Sequence, residues 1–326
     1  MRRRAALGLP LGLALAAPFA APSARAQSAW PNRPLRWVVA FAAGGAADTA
    51  ARAVAARAQE IIGQSIVIEN RTGGNATIAA NAVLQSPADG YSFLIDAANQ
   101  ITNPLLMRDL PFDYRTAFAP VSQVASFPQV IAVRQDFPAA TLAEFIAQAK
   151  AAPNTISYGT PPAAGMAHLA GELFQRLAGI RLVHAPYRGG ADAARDIMAG
   201  VIDAVLITSS SIKPPVQSGR ARILAVTSAQ RAAAYPEAPT LAESGFPGYE
   251  MNDWNGLFAA AAVPQPIILR MAAAIAEACR DAGVRSRMDP LGAELIGSTP
   301  EGFASWLEAQ RPIIARVVRE AGITLG

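Results

Sequence analysis

The stretch Val38–Glu60, "VVAFAAGGAADTAARAVAARAQE", joins a short apolar run to a segment with helical periodicity. Residues 35–41 have the length and composition of a buried strand, and small apolar residues then recur every three to four positions. Gly44 and Gly45 therefore lie in the turn between a strand and a helix. A helix start exposes backbone N–H groups that no carbonyl of the helix can reach, and glycine lets other atoms approach them closely.

Such N–H groups and the positive end of the helix dipole favour an anion, for example a carboxylate. From spacing alone, a tight turn that binds nothing explains Gly44 and Gly45 equally well. The segment lacks the G-x-G-x-x-G pattern, so we expect no dinucleotide cofactor. Asp48 falls in the first helical turn, where the dipole stabilises a carboxylate. If Asp48 also faces a ligand, it accepts a hydrogen bond from a hydroxyl or ammonium group.

The first 26 residues predict an export signal that is removed. Three arginines at Arg2–Arg4 precede an apolar stretch, and Ala24-Arg25-Ala26 forms a small-x-small cleavage site before Gln27. A membrane anchor is the alternative, but prolines and glycines interrupt a run already short for a span of about 20 residues. The arginines leave both the general secretory and the twin-arginine routes open. We expect a periplasmic protein.

Charge and residue content exclude several classes of function. The signal holds four arginines and no acid, so the 28 Lys and Arg fall to 24 and balance the 24 Asp and Glu. A neutral chain without a basic stripe does not predict nucleic-acid binding. Cys279 is the single cysteine, and His168 and His184 are the two histidines. We therefore expect no internal disulfide, no metal and no other cofactor.

Strands and helices alternate along the chain in two successive series. Strands near residues 35–41, 66–68 and 91–95 are separated by helical segments, and a second series runs through residues 130–227. Thr141 and Glu144 predict a capping box at one helix start of the second series. This order predicts an α/β fold of two lobes, each a mostly parallel sheet flanked by helices. We expect residues 27–127 with 228–326 in lobe 1 and residues 128–227 in lobe 2, joined by a two-crossing hinge.

Ligands of parallel α/β sheets bind beyond the carboxyl ends of the strands. Besides the glycine turn, this places Asn99, after the third strand, and Thr208, at the end of a second-lobe strand, among the candidate contacts. A second loop before a helix, "YGTPPAAGMAHLAGE", offers the Thr160 hydroxyl and a helix start at Gly165 and Met166. A histidine in the position of His168 is more often packed than a ligand contact. Tyr187 and Arg188 are expected to fix a turn.

Seven phrases occur in order along the chain: "PNRPLRWVVAFAAGGAADTAARAVA", "GQSIVIENRTGG", "SPADGYSFLI", "MAHLAGELF", "HAPYRGGADAARDIMAG", "LAVTSAQRAAAYPEAPTLAESGFPGYE" and "DWNGLFAA". Together they resemble the Bug-type substrate-binding proteins of tripartite tricarboxylate transporters. The sequence departs from the family pattern at Ala43, Thr72, the "GGNATIAA" turn and Ala260.

The resemblance implies a type II-like periplasmic solute-binding protein that captures a small organic carboxylate between two lobes and presents it to membrane permease subunits. In this family the carboxylate lies between two loops, which match residues 41–48 and 159–168. The ligand-binding residues expected here are Phe41, Ala42, Gly44, Gly45, Asp48, Asn99, Thr160, Pro161, Gly165, Met166, His168 and Thr208.

Two other functions compete with transport. A hydrolase would need a nucleophile elbow, and no G-x-S-x-G occurs. Cys279 lies on an apolar helix face, where a thiol is inert, so we expect no enzyme. A ligand sensor that docks onto a membrane kinase would use the same two lobes, and the sequence does not separate it from a transporter. We expect a monomer.

Overall fold

The structure is a computed structural model that describes residues 30–161 and 165–323. The predicted signal peptide over residues 1–26 lies outside the described residues. Within those described ranges, no helix is both long and apolar enough to cross a membrane.

Strands and helices follow one another along the described chain. The strands are β1 (Leu35–Val39), β2 (Ile66–Asn70), β3 (Ser92–Asp96), β4 (Phe118–Phe127), β5 (Gln129–Arg134), β6 (Ser157–Thr160), β7 (Val183–Pro186), β8 (Ala204–Thr208), β9 (Ala221–Val226), β10 (Asp253–Ala260) and β11 (Glu294–Leu295). The helices are α1 (Ala46–Ile62), α2 (Thr77–Leu84), α3 (Asn99–Leu106), α4 (Tyr114–Ala117), α5 (Leu142–Ala151), α6 (Met166–Ala178), α7 (Gly190–Met198), α8 (Ser209–Gln217), α9 (Gln265–Arg280), α10 (Ala282–Met288) and α11 (Pro300–Ala321).

The strands form two sheets flanked by helices, which confirms the predicted fold class. The first sheet has the order β11-β4-β10-β3-β1-β2, and the second has the order β7-β6-β8-β5-β9. In the first sheet β1 pairs in parallel with β2 and β3. In the second, β6 pairs in parallel with β7 and β8.

Each sheet is mixed, and this corrects the prediction of mostly parallel sheets. β10 runs antiparallel between β3 and β4, and β5 runs antiparallel between β8 and β9. These antiparallel strands stand next to the two passages of the chain between the sheets. A strand that enters a sheet directly from the neighbouring sheet has no crossover helix to reverse it, so it lies antiparallel to the strands that do.

The chain passes between the sheets at two places. β4 ends at Phe127 and β5 begins at Gln129, so Pro128 alone separates a strand of the first sheet from a strand of the second. The chain returns between Val226 and Asp253. Helix α11 then packs against α3 and β4 and also against α6. The lobe boundaries at residues 127 and 227 stay a prediction, and α11 contacts elements on both sides of them.

Local sequence accounts for the helix ends. α1 buries its small side chains on one face, among them Ala51, Val54 and Ala58, and it ends at Gly63, whose φ of 79° favours glycine. Helix α5 begins with the predicted capping box, because Thr141 Oγ1 accepts from the Glu144 N–H at 3.2 Å and Glu144 accepts from the Thr141 N–H.

Apolar side chains cover both faces of the second sheet. Ile131 and Val133 face one cluster, which includes Met166 and Leu169 of α6, whereas Val130 packs with a second cluster beside α7. The loops that follow β1 and β3 lie at one edge of the first sheet, because these parallel strands end there. The loops that follow β6 and β8 lie at one edge of the second sheet for the same reason. All of the predicted ligand contacts lie at these strand ends or in the segments that follow them.

Candidate functional site

The glycine turn after β1 is closed by its own hydrogen bonds. Gly44 adopts φ +79°, a conformation that favours glycine, and its N–H donates to Asp48 Oδ2 at 2.9 Å. The Gly45 N–H donates to the Ala42 carbonyl at 3.2 Å. The N–H groups of both glycines therefore have partners, which corrects the expectation that they are unpaired. The backbone N–H groups without a side-chain partner are those of the first turn of α1, because no side chain caps this helix.

Asp48 holds the turn in place. It is 2 % exposed, and its carboxylate accepts hydrogen bonds from Arg52 Nε at 2.9 Å and Asn70 Nδ2 at 2.8 Å as well as from Gly44. Burial by itself raises the pKa of the Asp48 carboxyl, but these hydrogen bonds outweigh burial and hold that pKa below its ordinary value. Asn70 also donates to the Phe41 carbonyl at 3.0 Å. Asp48 thus ties α1, the turn and the end of β2 together as an ionised group.

The second predicted loop leads from β6 into α6. Thr160 is fully buried, and its Oγ1 lies 2.8 Å from both the Pro161 carbonyl oxygen and His184 Nε2. Residues 162–164 lie outside the described part of the chain. Gly165 then forms the N-cap of α6 with φ −72° and ψ 168°, and no side chain caps this helix either. Met166, the first helical residue, is buried in the core.

His168 lies in a polar cluster that sequence reasoning did not find. Its ring stacks on His184 with centroids 4.0 Å apart, and its Nε2 lies 3.6 Å from Glu172 Oε1. Glu172 also accepts from the Tyr158 hydroxyl at 2.8 Å. Burial, together with the neighbouring His168, lowers the pKa of His184 to about 4, so this ring is neutral at physiological pH. His168 therefore has a packing role, and its contact with a ligand stays a prediction.

Two further candidates occupy the strand ends where topology placed them. Asn99 is half-buried at the start of α3, and its Nδ2 donates to the Asn75 carbonyl at 3.2 Å. Thr208 is 5 % exposed at the end of β8, and its hydroxyl bonds with Ser210 and Ser211 at the start of α8. Both side chains stabilise loops, and their role in binding stays a prediction.

The loop after β2 is a feature that the sequence prediction missed. Gly73, Gly74, Asn75 and Ala76 all have positive φ, including values of 48° and 71° at the two residues that are not glycine. The Asn75 carbonyl accepts from both Asn99 and Asn103, at 3.2 and 2.7 Å. The signal in the sequence was the "GGN" triplet, because glycine and asparagine are the residues that tolerate positive φ.

Two surface cavities lie elsewhere. One of about 610 Å³ is lined by residues of α5, β9 and the segment around Pro239, and one of about 550 Å³ lies between α6 and the end of α11. None of the predicted ligand contacts lines either cavity. The candidate site is therefore defined by its strand ends and helix starts.

Comparison with known proteins decides which family this arrangement belongs to. Residues 50–311 match the family described as "Tripartite tricarboxylate transporter family receptor". The chain belongs to this family. The receptor is 35 % identical to a protein of Bordetella bronchiseptica named as a UPF0065 protein, over 97 % of its own chain and 96 % of that protein. It is also 31 % identical to "Protein BugT" of Bordetella pertussis, over 91 % of each chain. The Bug-type resemblance and the function of a periplasmic solute-binding protein for small carboxylates are confirmed.

Solved structures agree with this assignment. The receptor is similar to "R. palustris Rpa4515 with adipate", with a TM-score of 0.83 and 35 % identity over 90 % of its chain and 99 % of the other. It is also similar to the "periplasmic binding protein BugD", with a TM-score of 0.80 and 31 % identity over 90 % and 99 % of the two chains. Both neighbours share more than 30 % of their residues with this chain, and both support the two-sheet fold.

The candidate nucleophile of the rival enzymatic function is inaccessible. Cys279 is 1 % exposed on α9, and burial raises the pKa of its thiol to about 12. A thiol that stays protonated at neutral pH is a poor nucleophile. The family and the neighbours are binding proteins, which are not usually enzymes.

Proposed function

We propose that the receptor holds the carboxylate of its ligand against the starts of α1 and α6. One observation carries this proposal. Both helices exceed twelve residues, both begin at a glycine in the same extended conformation, and neither has a side-chain cap. Their first N–H groups are therefore free of protein side chains at the two strand edges where a ligand is expected.

The chemistry of the two loops suits a ligand that must be released. Residues 41–48 and 159–168 contain no lysine or arginine. Arg52 is the basic side chain nearest to the first loop in sequence, and it pairs with Asp48 at 2.9 Å. Helix starts thus supply partial positive charge without a fixed cation, which weakens binding relative to a bidentate arginine.

The two passages of the chain between the sheets support a hinge between two lobes. We propose that residues 27–127 with 228–326 and residues 128–227 close on the ligand as two lobes that hinge near Pro128 and after Val226. The closed receptor then docks as a monomer onto the membrane permease subunits of a tripartite transporter. It reaches the periplasm by cleavage of the signal after Ala26, so the mature chain begins at Gln27.

Calorimetry and thermal shift on the chain from Gln27 test the capture of carboxylates. The panel contains linear diacids of graded length, including adipate, which is the ligand named with the neighbour Rpa4515. The matched control is the diamide of each acid, which has the same length and no charge. Ligand at about 100 times its Kd stabilises a protein by about 2.7 kcal/mol, so a binding acid gives a clear rise in Tm.

We expect at least one acid to raise Tm while its diamide does not. A receptor that responds equally to acid and diamide contradicts binding at the helix starts, because a neutral amide gains little from the helix dipole. Small-angle scattering at saturation tests closure, with a more compact particle expected once the acid is bound. Unchanged scattering with confirmed binding would contradict the hinge.

A further inference from the structure

The Gln129 side chain is buried without a hydrogen-bond partner. It is 1 % exposed, and neither its Nε2 nor its Oε1 bonds to any group in the described part of the chain. Its backbone, in contrast, is fully used, since the N–H donates to Thr227 Oγ1 at 3.0 Å and the carbonyl accepts from the Thr227 N–H at 2.9 Å. Leaving a buried amide unpaired costs free energy, so such a group calls for an explanation.

The register of the second sheet fixes the face on which this amide lies. Gln129 stands directly opposite Thr208 in the antiparallel pair of β5 and β8, and directly opposite residues share a face. Alternation along β5 places Gln129 on the same face as Ile131 and Val133. Ile131 and Val133 belong to the same buried cluster as Met166 and Leu169 in the first turns of α6, and α6 packs against the neighbouring strand β8.

The position of Gln129 along β5 determines at which edge of the second sheet its side chain lies. Gln129 is the first residue of β5, and its neighbour Thr208 is the last residue of β8, so both lie at the edge where β6 ends and α6 begins. Pro128, just before it, is the link to the first sheet. The unpaired amide therefore lies on the face and at the edge that hold the uncapped start of α6.

The cross-strand neighbour does not supply the missing bonds. The Thr208 hydroxyl is bonded to Ser210 at 3.0 Å and Ser211 at 2.9 Å. A carboxamide offers two N–H donors and one carbonyl acceptor. A carboxylate can satisfy the donors and cannot satisfy the acceptor, because it carries no hydrogen. A ligand with a hydroxyl group beside the carboxylate satisfies both.

We propose that Gln129 contacts the bound acid and makes the receptor select acids that carry a hydroxyl group beside a carboxylate. This inference rests on the proposed capture of a carboxylate at the helix starts. The Nε2 group donates to a ligand oxygen, and Oε1 accepts from the ligand hydroxyl.

Calorimetry with matched ligand pairs tests this selection. The pairs are the four-, five- and six-carbon linear diacids, each with and without a 2-hydroxyl group. The wild-type receptor is expected to bind the hydroxylated member of at least one pair about tenfold more tightly. Gln129→Met, which keeps the length and removes the amide, should bring that ratio to about one. The plain diacid should lose affinity as well, because the Nε2 donor is gone, but the hydroxylated acid should lose more, because it also loses the Oε1 acceptor.

The control carries the same substitution at a remote site. Gln217 is exposed at the end of α8, and Gln217→Met should keep the tenfold preference. Gln129→Asn, which withdraws the amide by one methylene, provides a second variant and should lose most of the preference. Equal wild-type affinity within every pair overturns the inference, and so does a preference that persists in either Gln129 variant. If the wild type binds no acid, the proposed capture itself fails.

Discussion

Gly45 and Gly165 adopt the same backbone conformation at equivalent places in the two sheets. Gly45 has φ −72° and ψ 170°, and Gly165 has φ −72° and ψ 168°. Each is the N-cap of the helix that follows a parallel strand, and each lacks a side chain that would cap the helix. Neither φ is positive, so glycine is not required there by backbone strain. Its absence of a Cβ leaves room for a ligand oxygen at both helix starts.

Substitution of either cap should remove binding more than folding. Gly45→Val and Gly165→Val place branched side chains at the two helix starts while their φ values stay allowed. A Cβ at Gly45 comes 3.2 Å from the Ala42 carbonyl oxygen, so we expect a loss of about 1 kcal/mol of stability. The rise in Tm with the best acid of the panel should disappear in both variants. A variant that folds and keeps the wild-type rise contradicts the proposed site.

A comparison of Gly44 with Gly63 separates strain from binding. Both glycines have φ +79°, and an added Cβ meets no atom within 4 Å at either position. Gly44→Ala and Gly63→Ala should therefore lose similar stability, about 1 to 2 kcal/mol each in urea unfolding. Gly63 lies at the far end of α1, so only Gly44→Ala should weaken ligand binding. Equal affinity of the two variants would show that the turn after β1 does not contact the ligand.

Asp48→Asn tests the group that holds the first loop. The amide loses the ion pair with Arg52 and can accept fewer hydrogen bonds, so we expect a loss of about 1 to 3 kcal/mol at pH 7. The folded pKa of Asp48 is below its unfolded value of 3.8, so its stabilisation is present above about pH 4 and is lost as pH falls through the folded pKa. The difference between wild type and variant in urea unfolding should shrink below pH 4. A difference that stays constant with pH contradicts an ionised Asp48.

The raised pKa of Asp96 predicts a contribution to folding stability that changes with pH in the opposite direction. It is fully buried at the end of β3, where burial raises its pKa to about 7 against hydrogen bonds from the Ala97 N–H at 2.9 Å and Gln100 Nε2 at 2.8 Å. The folded state holds this proton more tightly than the unfolded state, so stability falls as pH rises from about 4 to above 7.

Asp96→Asn resembles the protonated carboxyl and should remove that loss. We expect the variant to match the wild type below about pH 4 and to exceed it by about 1 to 4 kcal/mol at pH 8, measured by urea unfolding. A variant that is less stable at both pH values would show that the carboxylate is ionised and needed in the folded state.

Local patterns predicted most elements because their causes lie within a few residues. The capping box of Thr141 and Glu144 forms as expected, and the helix that follows Gly44 and Gly45 ends at Gly63. The strands β4 and β10 were not identified, because polar residues such as Ser122, Gln123 and Asn255 interrupt their apolar runs. These polar residues are buried by strands and helices that are distant in the sequence, and no local rule predicts such packing.

The sequence by itself determined the α/β class, the family, the helix starts at Gly45 and Gly165, and the loops that follow the strands. These features depend on periodicity and on backbone chemistry, which act over one or two turns. Only the tertiary structure determined which backbone N–H groups remain without a partner in the protein. Asn70 of β2 and Arg52 of α1 converge on Asp48, whose carboxylate takes up the Gly44 N–H. Likewise, only the pairing of β5 with β8 placed Gln129 unpaired beside α6, because hydrogen-bond partners are selected by distance in space and not by distance in sequence.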